Sequence, residues 1–437
     1  MIDTQPAASA APRERWYVLA VMTLVYAVNI ADRFSIATLI EPIRRELALS
    51  DKGIAFLTGS ALAFFYVTVG IPVAALADRV NRRNILAVSL FIWSGVTALC
   101  GFAQDYLQLL LARFAVGIGE AGGTPPSTSI VADNFPPARR PMALTVYALG
   151  ACIGAWLGSS VAGAAADAGG WRLAFLVLGI PGVALALIVW LTVREPRRGQ
   201  LDSEAHRPAS QPFSLWAIVR QLIDTLRLMS AQRSSIHLVL GGSVATFWSW
   251  GLMWWTVAFL QRSHHLSVGA AGGLLGPMHL LAGTAGTIVA GVLMALPAAR
   301  DPRFVTRLLA VVMALTTVPS FLAYRTESLG TATVMLWLFV PGVYFYIGPI
   351  LGLLANVLPP AVRATSVAIL LFVANLANLF LAPTLVGTLS DWFAGSFGAG
   401  TESLRWALLL LAPTGLWAAW HILRAGATIR EDEARAT

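Results

Sequence analysis

The chain of 437 residues is 57% hydrophobic and only 12% charged, with a mean hydropathy of +0.71, where soluble domains carry about 25% charged residues. That balance excludes a soluble enzyme or binding module and points to a chain that crosses a membrane repeatedly. The formal charge of +8 does not indicate nucleic acid, because the basic residues stand in short loops between apolar runs, where they set topology.

Twelve apolar runs follow in chain order, at 16–40, 53–77, 85–103, 107–132, 142–166, 172–193, 236–260, 268–296, 304–323, 331–357, 365–389 and 404–423. Each is near the length, about twenty residues, that a helix needs to cross about 30 Å of hydrocarbon. The runs are continuous, which predicts helices; barrel strands alternate in segments of about ten residues. The expected fold is an all-α membrane protein with twelve helices in two pseudo-symmetric six-helix bundles. Arg13, Arg15, Arg79, Arg82, Arg83, Arg139, Arg140, the linker arginines, Arg300, Arg303, Arg363 and the tail share one side. They are about twenty against about six opposite, which predicts that both termini are cytoplasmic. The polar first fifteen residues lack the apolar region of a cleavable signal. Cys100 and Cys152 fall inside spans, where thiols act as small hydrophobes and no disulfide is expected. Lys52 is the one lysine among 30 basic residues, which hints at a bacterial source and hence an inner membrane.

The chain repeats itself. "FPPARRPMALTVYALG" from Phe135 returns as "LPPAVRATSVAILLFV" from Leu358, with Pro136, Pro137, Ala138 and Arg140 matching Pro359, Pro360, Ala361 and Arg363, 223 residues on. The repeated unit is therefore a half-protein of six spans, an arrangement that in transporters carries a substrate site near the midplane. The division read from the sequence is 1–193 for the first bundle, 194–235 for a cytoplasmic linker and 236–437 for the second bundle and tail. The linker opens with "REPRRGQLDSEAHRPASQP", which has charge and proline but no apolar period. After it, Leu215, Trp216, Val219, Leu222, Ile223 and Leu226 recur at helical spacing, with Arg220, Asp224 and Arg227 on the other face. This suits a helix lying in the membrane interface or one packed under the bundle. No loop is long enough for a catalytic domain, and no metal-ligand spacing, phosphate loop or nucleophile pattern occurs; no cofactor, metal or nucleic acid is expected.

Charges inside spans carry the chemistry. Asp32, Arg33, Arg113 and Glu120 are embedded in the first half, where each charge costs about 2.5–3.5 kcal/mol on insertion scales unless it meets a partner or a cavity. At about 1.5 Å per residue, Asp32 lies roughly 12 Å and Arg113 roughly 9 Å below the same outer surface, so the two can pair. Glu120, two turns further along the face of Arg113, is a second carboxylate about 10 Å deeper. A carboxylate whose arginine partner comes and goes takes up and releases a proton, so Asp32, Arg113 and Glu120 are read as a proton-coupling group that works on Arg113. Arg33 is read as either a fourth member or a residue that snorkels outward. The second half has no embedded carboxylate; its polar content includes Asn356, Asn375, Asn378, Tyr344, Tyr346 and His279, beside a tryptophan-rich "FWSWGLMWW". Asn29, Tyr147, His279, Tyr344, Asn375 and Asn378 are the candidate cavity residues, with His279 beside Pro277 read as a packed polar group. A cavity charged on one wall and apolar on the other suits an amphiphile.

Three stretches resemble the major facilitator superfamily. "ALADRVNRRNIL" from Ala75 resembles its loop signature between the second and third helices. "RFAVGIGEAGGTPPS" from Arg113 resembles its fourth-helix signature. Gly150, Gly154 and Gly158 resemble its antiporter motif, with Ala155 where that motif has proline. By that resemblance Asp78, Arg79, Arg82, Arg83 and Asp133 form a cytoplasmic latch, in which Asp78 meets the start of the eleventh helix near Ala364 and Arg82 pairs with Asp133. The second-half copy "GVLMALPAARDPR" has Ala295 where the acid belongs, so the latch is one-sided. "ADRFSIATLI" together with "RFAVGIGEAGG" resembles the Spinster branch, in which the positions of Asp32, Arg113 and Glu120 are linked to proton-driven alternation and animal relatives move sphingolipid signals or lysophospholipids. The expectation is a monomeric, proton-coupled carrier of an amphiphilic or lipid-like substrate among membrane lipids. A drug or small organic ion carrier is the alternative within transport, and a lipid-modifying enzyme using Glu120 and His279 the rival outside it.

Overall fold

The computed structural model describes residues 12–60, 73, 80–201, 215–359 and 362–436, and the helices it contains follow from the runs above. Among the described residues nine helices are long and apolar enough to cross a membrane. One of them, Pro137–Thr192, is 56 residues long and holds two crossings, because Gly170 at φ +80° turns the chain after the fifth span. Only glycine adopts that backbone without a steric penalty. The fourth span is interrupted between Tyr106–Glu120 and Thr124–Asn134. The expected second span, 53–77, lies mostly outside the described residues. These account for the twelve-helix architecture.

The chain divides into two compact units. The first comprises Met1–Ile36 and Phe64–Gln211. Its opening helix, Pro12–Thr38, packs on the fifth span along a ladder of glycines. A Cβ on Gly150, Gly154 or Gly158 would stand 2.7 Å from the Thr23 carbonyl, 2.3 Å from that of Ala27 or 2.4 Å from that of Ala31, closer than any side chain can approach. The three glycines therefore act here as a packing surface for two backbones. Arg82–Cys100 meets the sixth span in the same way at Gly179 and Gly182.

The second unit comprises Ala37–Ala63 and Pro212–Thr437. Its core joins Leu238, Leu309, Leu354, Val357, Ile422 and Ala425, all fully buried. The long helix Arg233–His264 is stopped by His265 in a left-handed conformation, and Pro302–Arg325 is started by the Asp301 side chain. The last helix runs from Thr414 to Ala436, well past the apolar run that predicts its end near 423. Wide π-helical turns interrupt four spans, at Phe56–Ser60, Leu157–Val161, Met278–Gly283 and Leu376–Leu381.

The linker departs from expectation at its start. Glu195 to Gln200, read as a solvated tether, docks on the first unit, because it carries the acceptors that Arg82 needs. Its residues 202–214 lie outside the described residues. The following helix, Leu215–Ala231, leaves Trp216, Leu222, Ile223 and Leu226 exposed, while Thr225 and Met229 are buried and Gln221 donates to Thr365 at 3.0 Å.

Candidate functional site

The embedded charges of the first unit resolve into two ion pairs. Arg113 Nη1 donates to Asp32 Oδ2 at 2.8 Å, and Thr97 donates to Asp32 Oδ1. Depth along the helices matched Asp32 with Arg113, and here they bond. Arg33 donates from Nε and Nη2 to Glu120 Oε2, at 2.9 and 2.8 Å. This corrects one expectation, since Glu120 is held by Arg33 instead of Arg113, and it selects between the two readings of Arg33, which turns inward. The reason is helical geometry. Consecutive residues diverge by about 100° around a helix, so Asp32 and Arg33 reach two different points on the Arg113–Glu120 face.

Burial sets the stakes. Arg113 and Glu120 are fully buried and Asp32 is 3% exposed. Buried pairs of this kind gain little net stability, and losing one partner leaves a costly charge. The cluster is also incompletely satisfied. Arg113 Nε and Nη2, Glu120 Oε1 and Asn29 Nδ2 are buried without hydrogen-bond partners. Buried polar groups are usually hydrogen-bonded, so these atoms mark where the site can take a further partner. Thr97 was not foreseen; its only sequence signal is a hydroxyl in an apolar run.

The other candidates sort by unit. In the first, Tyr147 stacks on Tyr26 with ring centroids 4.8 Å apart. In the second, His279 Nδ1 and the Tyr344 hydroxyl are 2.9 Å apart, and Trp254 donates to Asn378 at 2.7 Å. Trp250 joins these pairs, edge to face with Tyr344 at 5.4 Å and tilted against Trp254 at 6.3 Å. His279 is thus a packed polar residue, entering a π-helical turn just after Pro277. Asn375 ends Arg363–Asn375, half-buried, one turn before Asn378.

The expected latch centres on Arg82. It donates to Asp133 Oδ2 at 2.5 Å, to Ser129 at 2.7 Å, to Glu195 at 2.7 Å and to the Pro196 carbonyl at 2.9 Å. Arg82 and Asp133 pair as expected. Arg83 contributes its backbone N–H to Glu195, and Asp133 also accepts from Gly199 N–H. Asp78 and Arg79 lie outside the described residues. Sequence reasoning missed Glu195 because its neighbours read as linker. Glu195→Ala is expected to release this strap: loss of charge-assisted bonds worth about 1.5–3 kcal/mol each speeds amide exchange in 195–201 by tenfold or more, read by hydrogen–deuterium exchange. Unchanged exchange there would contradict the docking.

A third charged cluster, in the second unit, was not foreseen at all. Arg262 donates from Nε to Glu41 Oε2 at 2.7 Å and forks onto both oxygens of Asp51 at 2.7 and 2.6 Å. Asp51 accepts from Ser390 as well, and Asp391 caps the Asp51 and Lys52 amides at 2.9 Å. Glu41, Asp51 and Arg262 are all less than one-tenth exposed. Burial by itself would raise the Glu41 carboxyl, but the hydrogen bonds and charges of Arg44 and Arg262 hold it down at about 2.

Comparison with known proteins agrees with this architecture. The family model of the Major Facilitator Superfamily matches residues 22–382. The chain is 33% identical to an MFS-type efflux pump of Mycolicibacterium smegmatis, over 94% of this chain and 92% of that protein. It is 25% identical to the sphingosine-1-phosphate transporter of Danio rerio, over 88% of this chain and 78% of that one. Among solved structures, a bacterial homologue of the human lysosomal transporter Spinster, inward-facing and unoccupied, matches with a TM-score of 0.82 and 30% identity, over 97% of this chain and 99% of that chain. Twelve helices, an internal half-chain repeat and these matches lead to one assignment: the chain belongs to the Major Facilitator Superfamily of membrane transporters, in its Spinster-like branch.

Proposed function

We propose that the protein is a proton-coupled secondary transporter that moves an amphiphilic, lipid-like substrate by alternating access, as a monomer in a bacterial inner membrane with both termini in the cytoplasm. The observation that carries this reading is the double ion pair, Asp32 with Arg113 and Arg33 with Glu120, buried and partly unsatisfied inside an apolar bundle. Protons entering from the outer side neutralise Asp32 and Glu120, which release Arg113 and Arg33 and so shift the balance between two conformations. The free energy available is about 1.4 kcal/mol for each pKa unit by which a carboxyl differs between the two states. The aromatic side chains of Trp250, Trp254 and Tyr344 supply the apolar wall that an acyl chain would contact, with His279 and Asn378 as the buried hydrogen-bond partners of Tyr344 and Trp254. The relative that carries sphingosine-1-phosphate supports a lipid-like substrate, and the one described as an efflux pump supports a second reading, a carrier of small organic ions.

The deciding experiment follows lumenal pH with a trapped dye in proteoliposomes as lysophospholipid or sphingoid amphiphiles are added, with Asp32→Asn as the control for leak. Proton flux that needs both the amphiphile and Asp32 is the expected result. Equal traces from the two proteins, with flux evoked only by an organic ion, would replace the lipid reading by the second.

A further inference from the structure

The first unit holds a cavity of about 310 Å³ behind Asp32, formed where the first, third, fifth and sixth spans diverge. Cavities that hold ligands run from roughly 300 to 1,000 Å³, so this one suits a small molecule or a short chain. Val161, Val177 and Pro181 line it, and Val177 and Pro181 carry exposed surface. Apolar surface exposed on a membrane span is offered to hydrocarbon. The fifth and sixth spans, which carry these three residues, are the side from which a bilayer molecule can reach the cavity.

Its inner end is polar. Asp32, Trp93 and Ser94 line it; Trp93 and Ser94 are fully buried, and Trp93 Nε1 and Ser94 Oγ have no hydrogen-bond partner. An indole N–H only donates, a serine hydroxyl donates and accepts, and a carboxylate only accepts. Each Asp32 oxygen already takes one bond, from Arg113 and from Thr97, and each retains a lone pair. An anionic head is repelled by Asp32, and a cationic one meets Arg113 next to it. A neutral hydroxyl accepts from Trp93 and donates to Ser94 or Asp32 with no charge to bury.

We propose that this cavity is a binding site for a neutral single-chain alcohol, which enters from the lipid and sets its hydroxyl among Trp93, Ser94 and Asp32. A ligand there adds or withdraws a hydrogen bond at Asp32 and so links the composition of the bilayer to that carboxylate. The site stands whether or not the chain couples transport to protons.

The test uses the full-length protein in lipid nanodiscs, photolabelled with a diazirine-bearing 1-octanol and mapped by mass spectrometry. Adducts are expected on segments 157–161 and 177–181, displaced by excess 1-octanol and not by octane. Ser94→Ala is expected to weaken displacement roughly three- to tenfold, what one neutral hydrogen bond is worth. Val161→Trp fills the cavity and removes the adducts. The competition in the wild-type protein needs no variant to fold. Adducts spread evenly over lipid-facing residues such as Leu187 and Leu191, or displacement by octane as effective as by octanol, would overturn the proposal.

Discussion

Exchange of Asp32 for asparagine is expected to remove one proton from the conformational response to pH, exchange of Glu120 for glutamine another, and the double exchange the whole of it. The two carboxylates sit in separate pairs, so neutralising one leaves the other bonded to its own arginine. By linkage, the slope of log population ratio against pH counts protons taken up in the transition. That slope should fall from about two to about one in either single variant and to about zero in both together. The sign follows from the pairs. Protonation weakens them, so the paired state is favoured as pH rises and loses ground as pH falls. Spin labels on the two units, read as distance distributions over a pH series, provide the measurement. An unchanged slope in Glu120→Gln would remove the Arg33–Glu120 pair from the mechanism and leave Asp32 to act alone. Each variant leaves a buried arginine without its counter-charge, a loss of up to about 3–5 kcal/mol, and the amide oxygen, which still accepts from that arginine, offsets part of it.

Arg262→Met should be more damaging to stability than either. It removes the fork onto Asp51 and one of the three arginines that meet Glu41, both carboxylates being buried, and removing one partner of a buried ion pair costs about 3–5 kcal/mol. A lowered melting temperature of the purified protein is the readout, and Arg262→Met combined with Glu41→Gln and Asp51→Asn should recover much of the loss, since both acidic positions are then neutral and the remaining arginines, Arg44 and Arg45, reach solvent. The wild-type protein should also show an acid limb from this cluster. Glu41 is held at about 2 in the folded chain against about 4.3 when unfolded, so its contribution is fully present above the unfolded value and is lost as pH falls from there towards 2. If the melting temperature stays the same in Arg262→Met, the cluster contributes no net stability.

What could be read in the sequence followed from the rarity of the signal. A charge in the middle of an apolar run has few explanations, so Asp32, Arg113 and Glu120 stood out, and counting helical rise was enough to match Asp32 with Arg113. The same count could not separate Arg33 from Arg113 as the partner of Glu120, because that depends on how the first helix is rotated. Glu41, Asp51 and Arg262 lie at the ends of spans, where a charge is ordinary and usually solvated; only the fold brings residues 221 positions apart in sequence within 2.7 Å. Glu195 was hidden for a related reason, since a charged, proline-containing stretch looks the same whether it is free or strapped to Arg82. The Gly150, Gly154 and Gly158 series was legible as close packing, and the carbonyls that face it on the first helix bear out that part of the reading.

The wide turns in four spans also bear on how such a chain can change length. Deleting a residue from an ordinary helix rotates everything beyond it by about 100° and would turn an inward charge to the lipid. A π-helical turn already holds one residue more than the α-helix on either side of it needs. Removing that residue from Leu157–Val161, Met278–Gly283 or Leu376–Leu381 closes the turn and leaves both flanks facing as before. Among the described membrane helices, these are the places where single-residue gaps between homologues can accumulate without loss of the fold.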